Sequence, residues 1–552
     1  MLAFAIVAVP FAYAVLRLAT APTAHLALPD DLALIDLHVR RALAWKQQLG
    51  VFDHNNWNHP GPSYFYLVSV AYRVLGSDVR ALFVGATLVN AGAALSCVAV
   101  VRRRTSPAVA LWAAVWVGAL VAVLAAAGPA STTYSESVLG ALVSPWNPTV
   151  VLFPLLLVLL LCAGAVDRSA PSLVGALLVG TFVIQTDISA GPLVVALLVV
   201  AGGTWTVTAA LDHRSRAPRT HATPDGSVAT VPVRPGGNRT RVLVVGGSAL
   251  VVLAWVPPLV QQLTNHPGNM TLIARFFGAS HAGQGVVASL RAVAAAMAVV
   301  AVGPSEVMTS ILGGTPAHAA IAVAVTVATV VLAVGVAVVG GRRGDRFALG
   351  IGALTAVGWL AAVVAVTHVV GFVFGYLVLW AAVLPVAALV GVGTLRPRLG
   401  RAAGALRIAL CAVAVGVGVV ACVRVAAIPP LSRAGDPHVT ALADLVTARI
   451  PPGGRVVVGD AGAGTADTQL LDTEEFIGLV NALDRAGYRP TVNAFWKAQF
   501  GPGFLTDGTE PRRVGLSSWA PTSPSLPGYV GRVGDMAVTV TDDSGAGVPP
   551  AG

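Results

Sequence analysis

Three carboxylates stand together just after the first apolar run of this chain, in Pro29-Asp30-Asp31-Leu32-Ala33-Leu34-Ile35-Asp36. Acids beside a bilayer cost free energy unless they are solvated or paired, so Asp30, Asp31 and Asp36 are functional candidates by default. Arg40, Arg41 and Lys46 follow on the same segment, as cations suited either to a lipid phosphate or to ordinary head groups. Asp31, Ile35 and His38 or Val39 recur at helical spacing, and Leu32, Leu34 and Leu37 supply apolar surface. This predicts a helix lying at the membrane interface, N-capped by Asp30 or Asp31. Trp57-Asn58-His59-Pro60-Gly61-Pro62 comes next, and its two prolines around a glycine enforce a rigid turn that forbids helix until after Pro62. Tyr64, Phe65 and Tyr66 then open an aromatic segment of the interfacial kind. Set beside Trp57 and Asn58, and close to three acids, His59 is a candidate substrate contact.

The elements that must position these residues are membrane spans. Of 552 residues, 56% are hydrophobic and only 11% charged, and the mean hydropathy is +0.78. Apolar runs long enough to cross about 30 Å of hydrocarbon as helices recur at 2–19, 79–101, 107–127, 149–165, 171–186, 189–211, 242–260, 317–340, 347–367, 371–394 and 404–423. The expected fold is an all-α polytopic membrane protein of 11–13 spans. Two shorter or interrupted stretches, 63–76 and 286–302, suit re-entrant or surface-lying helices. The net charge of +10 does not signal nucleic acid, because the basic residues fall in short loops: Arg102 to Arg104, Arg168, the 213–241 segment, Arg342-Arg343 and Arg396 to Arg401. Short loops rich in Lys and Arg mark the cytoplasmic face. Placing all five inside requires eleven spans, with 63–76 and 286–302 not crossing. The first apolar run has no charged leader and no convincing cleavage site, which fits an uncleaved span. Cys97, Cys162, Cys411 and Cys422 all fall in spans and read as small apolar residues, not as a disulfide framework.

Composition divides the chain into a membrane body, 1–425, a soluble α/β domain, 430–530, and a flexible Gly/Pro/Ser-rich tail, 531–552. Within the body, 20–62 is the first outer loop and 212–241 a basic, disordered cytoplasmic linker. In the soluble domain, helices near 437–449 and 473–486 alternate with strands at 455–460 and from Pro490. No Walker motif or Gly-rich nucleotide fingerprint occurs. The polar and aromatic stretches 20–62, 128–148, 185–188 and 257–285 all fall on the outer face with the soluble domain, which predicts an outward cavity at the lipid boundary. Nucleotide sugars are absent there, so a group-transfer enzyme in that place needs a lipid-carried donor.

An outer first loop that opens with an acidic pair and closes with a His-Pro turn resembles the type C glycosyltransferases, polytopic enzymes that use polyprenyl-phosphate sugars. The match to an actinobacterial branch of that superfamily rests on Asp31 to Arg40, Gly50, Trp57 to Pro62, Pro145-Trp146-Asn147-Pro148, Gln185-Thr186, Pro257-Pro258, Pro267-Gly268-Asn269 and Arg485-Ala486-Gly487-Tyr488. The branch usually carries Glu at the position of Asp36, and His at that of Asp187. The resemblance implies an aspartate general base: Asp31 first, Asp30 next, Asp36 third. A cation must stabilise the departing phosphate, from Arg40, Arg41 or Arg275. Trp57, Asn58, His59, Trp146, Asn147, Gln185 and Asn269 are the expected substrate contacts. Some relatives use a divalent metal such as Mg²⁺ or Mn²⁺, for which Asp30 and Asp31 offer oxygen ligands. The expected function is sugar transfer from a polyprenyl-phosphate donor to a cell-envelope glycan or lipid acceptor, in the plasma membrane. A transporter of a lipid-linked sugar and a non-catalytic assembly subunit are the alternatives.

Overall fold

The computed structural model describes residues 1–23, 26–126, 138–215, 221–222, 228–229, 238–279, 281–303, 316–395, 403–460 and 473–542. In chain order its principal helices are α1 (Leu2–Ala19), α2 (Asp30–Leu43), α3 (Ser63–Val74), α4 (Arg80–Arg104), α5 (Pro107–Leu124), α6 (Asn147–Val166), α7 (Ala170–Thr186), α8 (Gly191–Ser215), α9 (Asn238–Thr264), α10 (Asn269–Gly278), α11 (Val286–Val302), α12 (Pro316–Arg343), α13 (Arg346–Thr367), α14 (Leu379–Thr394), α15 (Ala403–Ala426), α16 (Pro437–Thr447) and α17 (Thr473–Arg485).

Among the described residues nine helices (α1, α4, α5, α6, α8, α9, α12, α13 and α15) are long and apolar enough to cross a membrane, and α7, α11 and α14 are shorter apolar helices. Each of the eleven expected spans thus corresponds to a helix. With 12 residues, α3 is about 18 Å long, too short for a crossing of about 30 Å. Its outward residues Leu67, Val70 and Val74 are nevertheless 52%, 60% and 77% exposed, and the exposed Trp45 leans on Tyr66 at 5.3 Å. An apolar outward face with an aromatic partner is the pattern of a helix lying at the membrane surface. Apolar on every side, α6 sits at the centre of the bundle with 94% of its window buried, against 11% for α9 and 17% for α15 on the lipid-facing periphery.

Among the described residues, Arg102 to Arg104, Arg168 and Arg342-Arg343 gather at one end of α6. There Arg104 donates to Asp167 at 2.8 Å and to Ser172 at 3.2 Å. Arg343 donates to the Leu395 carbonyl, and Gly350 lies against Ala163. The first loop, the Ser144 to Asn147 turn and the Asp187 turn meet at the opposite end of α6.

Beyond α15 the soluble domain forms a five-stranded sheet of order β6-β5-β7-β9-β8, from Arg455–Asp460 (β5), Arg489–Thr491 (β6), Arg512–Ser518 (β7), Tyr529–Val533 (β8) and Met536–Asp542 (β9). β5 runs parallel to β6 and β7, and β9 is antiparallel to β7 and β8. The boundary expected at 530 is therefore corrected: β8 and β9 carry the domain to Asp542, and Val538 and Val540 are fully buried. Residues 543–552 lie outside the described residues. Within 212–241, α8 runs to Ser215, α9 starts at Asn238 and two short strands, His221–Ala222 (β3) and Val228–Ala229 (β4), pair between them. The rest of that linker also lies outside the described residues.

Candidate active site

The interfacial helix predicted after Pro29 is α2, but neither aspartate caps it. The N-cap is Pro29, with no side-chain bond, and Asp30 and Asp31 are in the first turn. That location is still favourable, since carboxylates there complement the helix dipole. Asp30 takes a left-handed backbone, φ 40°, and remains partly exposed. Asp31 is half-buried. Burial raises its pKa above the ordinary carboxylate value. The Trp146 indole N–H, donating to Oδ2 at 2.8 Å, and the nearby His59 oppose that rise, while Asp53 adds to it.

His59 is fixed from both sides. The Ile188 backbone N–H donates to its Nδ1 at 3.0 Å. Nε2 lies 3.3 Å from the Asn147 side-chain amide. Asp187 shapes that turn by accepting the Ser189 N–H at 3.0 Å. Trp57 meets His59 edge-on at 5.7 Å and packs on Phe276 at 5.8 Å, and its buried indole N–H has no partner among the described residues. Trp146 packs against Tyr376, the rings tilted at 56° with centroids 4.9 Å apart. Asp31, His59, Trp57, Trp146 and Asn147 thus lie together.

Several expected substrate contacts do other work, and these are corrections. Asp36 is fully buried, with Arg485 holding both its oxygens, Arg40 adding an ion pair at 3.3 Å and the Tyr72 hydroxyl donating to it. Those cations, Arg485 above all, outweigh burial and hold its pKa at about 2. A carboxylate so occupied accepts no substrate proton. Arg40 is spent on Asp36, Asp484 and Asn481. Arg41 donates to Gln47 at 3.2 Å and to the Phe500 carbonyl at 3.1 Å. Asn58 and Asn269 bond each other reciprocally, the Asn58 N–H to Asn269 Oδ1 at 2.8 Å and Asn269 Nδ2 to the Asn58 carbonyl at 2.7 Å. That pair ties the first loop to α10. Gln185 is fully buried, accepting from Ser63 and donating to the Ala254 carbonyl at 2.9 Å. Arg275, exposed on α10 beside Phe276 and Phe277, makes no hydrogen bond or ion pair among the described residues.

The Pro60-Gly61-Pro62 turn is rigid for a packing reason as well. A Cβ on Gly61 would fall on the Gln185 amide. Gly61→Ala is therefore expected to lower stability by about 1–3 kcal/mol, the usual range for overpacking, read as a drop in thermal unfolding temperature in detergent.

Sequence reasoning missed Asp53, His54 and Tyr376. Asp53 and His54 sit in the hairpin of Phe52–Asp53 (β1) and Trp57–Asn58 (β2), and both act electrostatically on Asp31. The run Asp53-His54-Asn55-Asn56 carried a turn signal, and Asp53 does accept the Asn55 N–H at 2.9 Å. Among the described residues no three His, Cys, Asp or Glu side chains converge as metal ligands.

Two solved structures share this arrangement over nearly the whole chain. ArnT from Cupriavidus metallidurans bound to undecaprenyl phosphate matches with a TM-score of 0.53 and 15% identity, covering 99% of this chain and 98% of that one. The same protein in the apo state matches with a TM-score of 0.52 and 14% identity, over the same shares. No family model and no curated protein matches the sequence. At these identities the likeness is one of fold: the chain adopts the fold of ArnT, a polytopic helical membrane body followed by a small C-terminal α/β domain.

Proposed function

We propose that this protein is a membrane glycosyltransferase, akin to the actinobacterial type C enzymes, that moves a sugar from a polyprenyl-phosphate donor to a cell-envelope glycan or lipid acceptor at the outer face. The observation that carries this reading is Asp31: a half-buried residue whose carboxyl is made more basic by burial and oriented by Trp146, at the end of the bundle remote from Arg104, Arg168 and Arg343. Its low-dielectric setting suits a general base, which must hold a proton firmly once it has taken it.

As the acceptor hydroxyl attacks the anomeric carbon, its proton passes to Asp31, a C–O bond forms, and the bond from that carbon to the phosphate oxygen breaks. Polyprenyl phosphate departs with the bonding pair, and the sugar is inverted. Of the three candidate cations, Arg275 alone is unengaged among the described residues, and it takes the role of steadying the leaving phosphate. His59, held between Asn147 and Ile188, and the aromatic faces of Trp57 and Tyr376 border the sugar. The undecaprenyl phosphate bound by ArnT supports a prenyl lipid as the donor's carrier.

The test uses the full-length protein in vesicles loaded with a polyprenyl-phosphate sugar and an envelope-lipid extract. Release of polyprenyl phosphate coupled to sugar appearing on acceptor is expected, and a donor that stays intact would overturn the proposal. Orientation is tested separately. His54→Cys on the exposed hairpin is expected to react with an impermeant maleimide from outside intact cells, and Arg103→Cys only after permeabilisation. The reverse pattern would put Asp31 on the wrong side for a prenyl-linked donor.

A further inference from the structure

We infer that the C-terminal domain is a working part of this site, with Arg485 acting as a positioning residue that sets α2 and, through it, the Asp31 carboxylate. The inference rests on Asp31 being the base.

At about 100° per residue, Asp36 lies about 140° around α2 from Asp31, and Arg40 about 180°. One face of α2 therefore presents Asp31 to Trp146, while the opposite face is gripped by α17. Arg485 takes both oxygens of Asp36, and Arg40 reaches back to Asp484 and Asn481 on α17. Arg485 also donates to the Ser77 carbonyl at 3.1 Å, joining α17 to the turn after α3. The grip continues on either side of α2. Before it, the Asp436 N–H donates to the Ala27 carbonyl at 2.9 Å, and Gly478 brings α17 so close that a Cβ would stand 3.0 Å from the Leu28 carbonyl oxygen. After it, Arg41 holds the Phe500 carbonyl and Asn58 the Ala498 carbonyl at 3.2 Å.

Local sequence does little to fix α2. It has no side-chain cap, and among the described residues no regular element lies between Ala19 and Asp30. Its orientation comes from what packs on it, and the buried charged contacts on its outer face all come from the soluble domain except those of Arg40 and Tyr72. A displacement of about 1 Å in a reacting group costs about 10²-fold in rate, so loosening the grip should be read in kcat.

The experiment compares full-length variants in the vesicle assay. Arg485→Gln is expected to lower kcat by about 10²-fold with KM for donor unchanged, and to move the acid limb of the pH–rate profile. Arg485→Lys should restore part of kcat. Gly478→Ala leaves every charge in place, crowds Val439 on α16 and then the Leu28 carbonyl, and so shifts α17 against the start of α2, which should give the same kcat-selective loss. Folded yield is followed by gel filtration and by proteolysis of the soluble domain. Wild-type kcat in Arg485→Gln, equal losses in kcat and KM, or misfolding of both Arg485→Gln and Gly478→Ala would each overturn the inference. Asp31→Asn is run beside them. If it stays active the base assignment has failed, whereas an inactive Asp31→Asn beside a fully active Arg485→Gln rejects only the positioning role.

Discussion

Asp31→Asn should lower kcat by about 10²–10⁴-fold, the usual contribution of a general base, with the protein folded and still able to bind donor. Asparagine has nearly the same shape and keeps an oxygen for the Trp146 indole, which donates at 2.8 Å in the wild type. Only the charge and the ability to take a proton are lost. The same burial that raises the Asp31 pKa gives a second signature. A carboxyl whose folded pKa exceeds its unfolded value binds its proton more tightly when folded, so it subtracts stability as pH rises above about 3.9, the unfolded value. Asp31→Asn should therefore unfold at a higher temperature than wild type at neutral pH, while being inactive. In the wild type, transfer should fall as pH drops through the raised value, because only the ionised carboxylate accepts the hydroxyl proton. A steady-state pH series and a thermal scan on the same preparations check both. A variant that loses stability along with activity would mark Asp31 as structural.

Asp36→Ala should have the opposite character. Removing it leaves Arg485 and Arg40 facing one another without their shared anion, and breaking a buried ion pair from one side costs about 3–5 kcal/mol. The pH dependence again gives the sign. With Arg485 and Arg40 holding its pKa at about 2, Asp36 contributes stability that is complete above the unfolded value of about 3.9 and vanishes as pH falls through about 2. Wild-type protein should lose stability across that window, and Asp36→Ala should lack that step. Tryptophan fluorescence during thermal unfolding at graded pH measures it. An Asp36→Ala variant as stable as wild type would mean the ion pair and its desolvation cancel.

The contrast between these two aspartates shows what sequence could and could not say. Both stand in one acidic segment, and nothing local separates them. Asp36 is taken by an arginine 449 residues away, and such a pairing leaves no trace in composition or periodicity. Arg40 and Arg41 misled for the same reason, as cations beside a membrane whose partners are in the soluble domain. Asn58, Asn269 and Gln185 were expected as substrate contacts, but the side-chain amide of each bonds a backbone carbonyl. The spans were legible because about twenty apolar residues in a row have few other destinations. The end of the soluble domain was misjudged because glycines and prolines around 524–535 masked the alternation in Met536-Ala537-Val538-Thr539-Val540, which is the strand β9. Asp53 went unnoticed because its turn chemistry explained it without reference to Asp31.

The enclosure of α6 decides how the protein comes apart. Local opening tracks the contacts that must be given up, so in detergent α9 and α15 should release amide protons to deuterium exchange early, and α6 last of all. Trp146 and Asn147 sit at the first turn of that slowest segment. The wall that aims Asp31 will thus outlast the shedding of peripheral helices, and preparations already partly loosened should still hold the carboxylate in register.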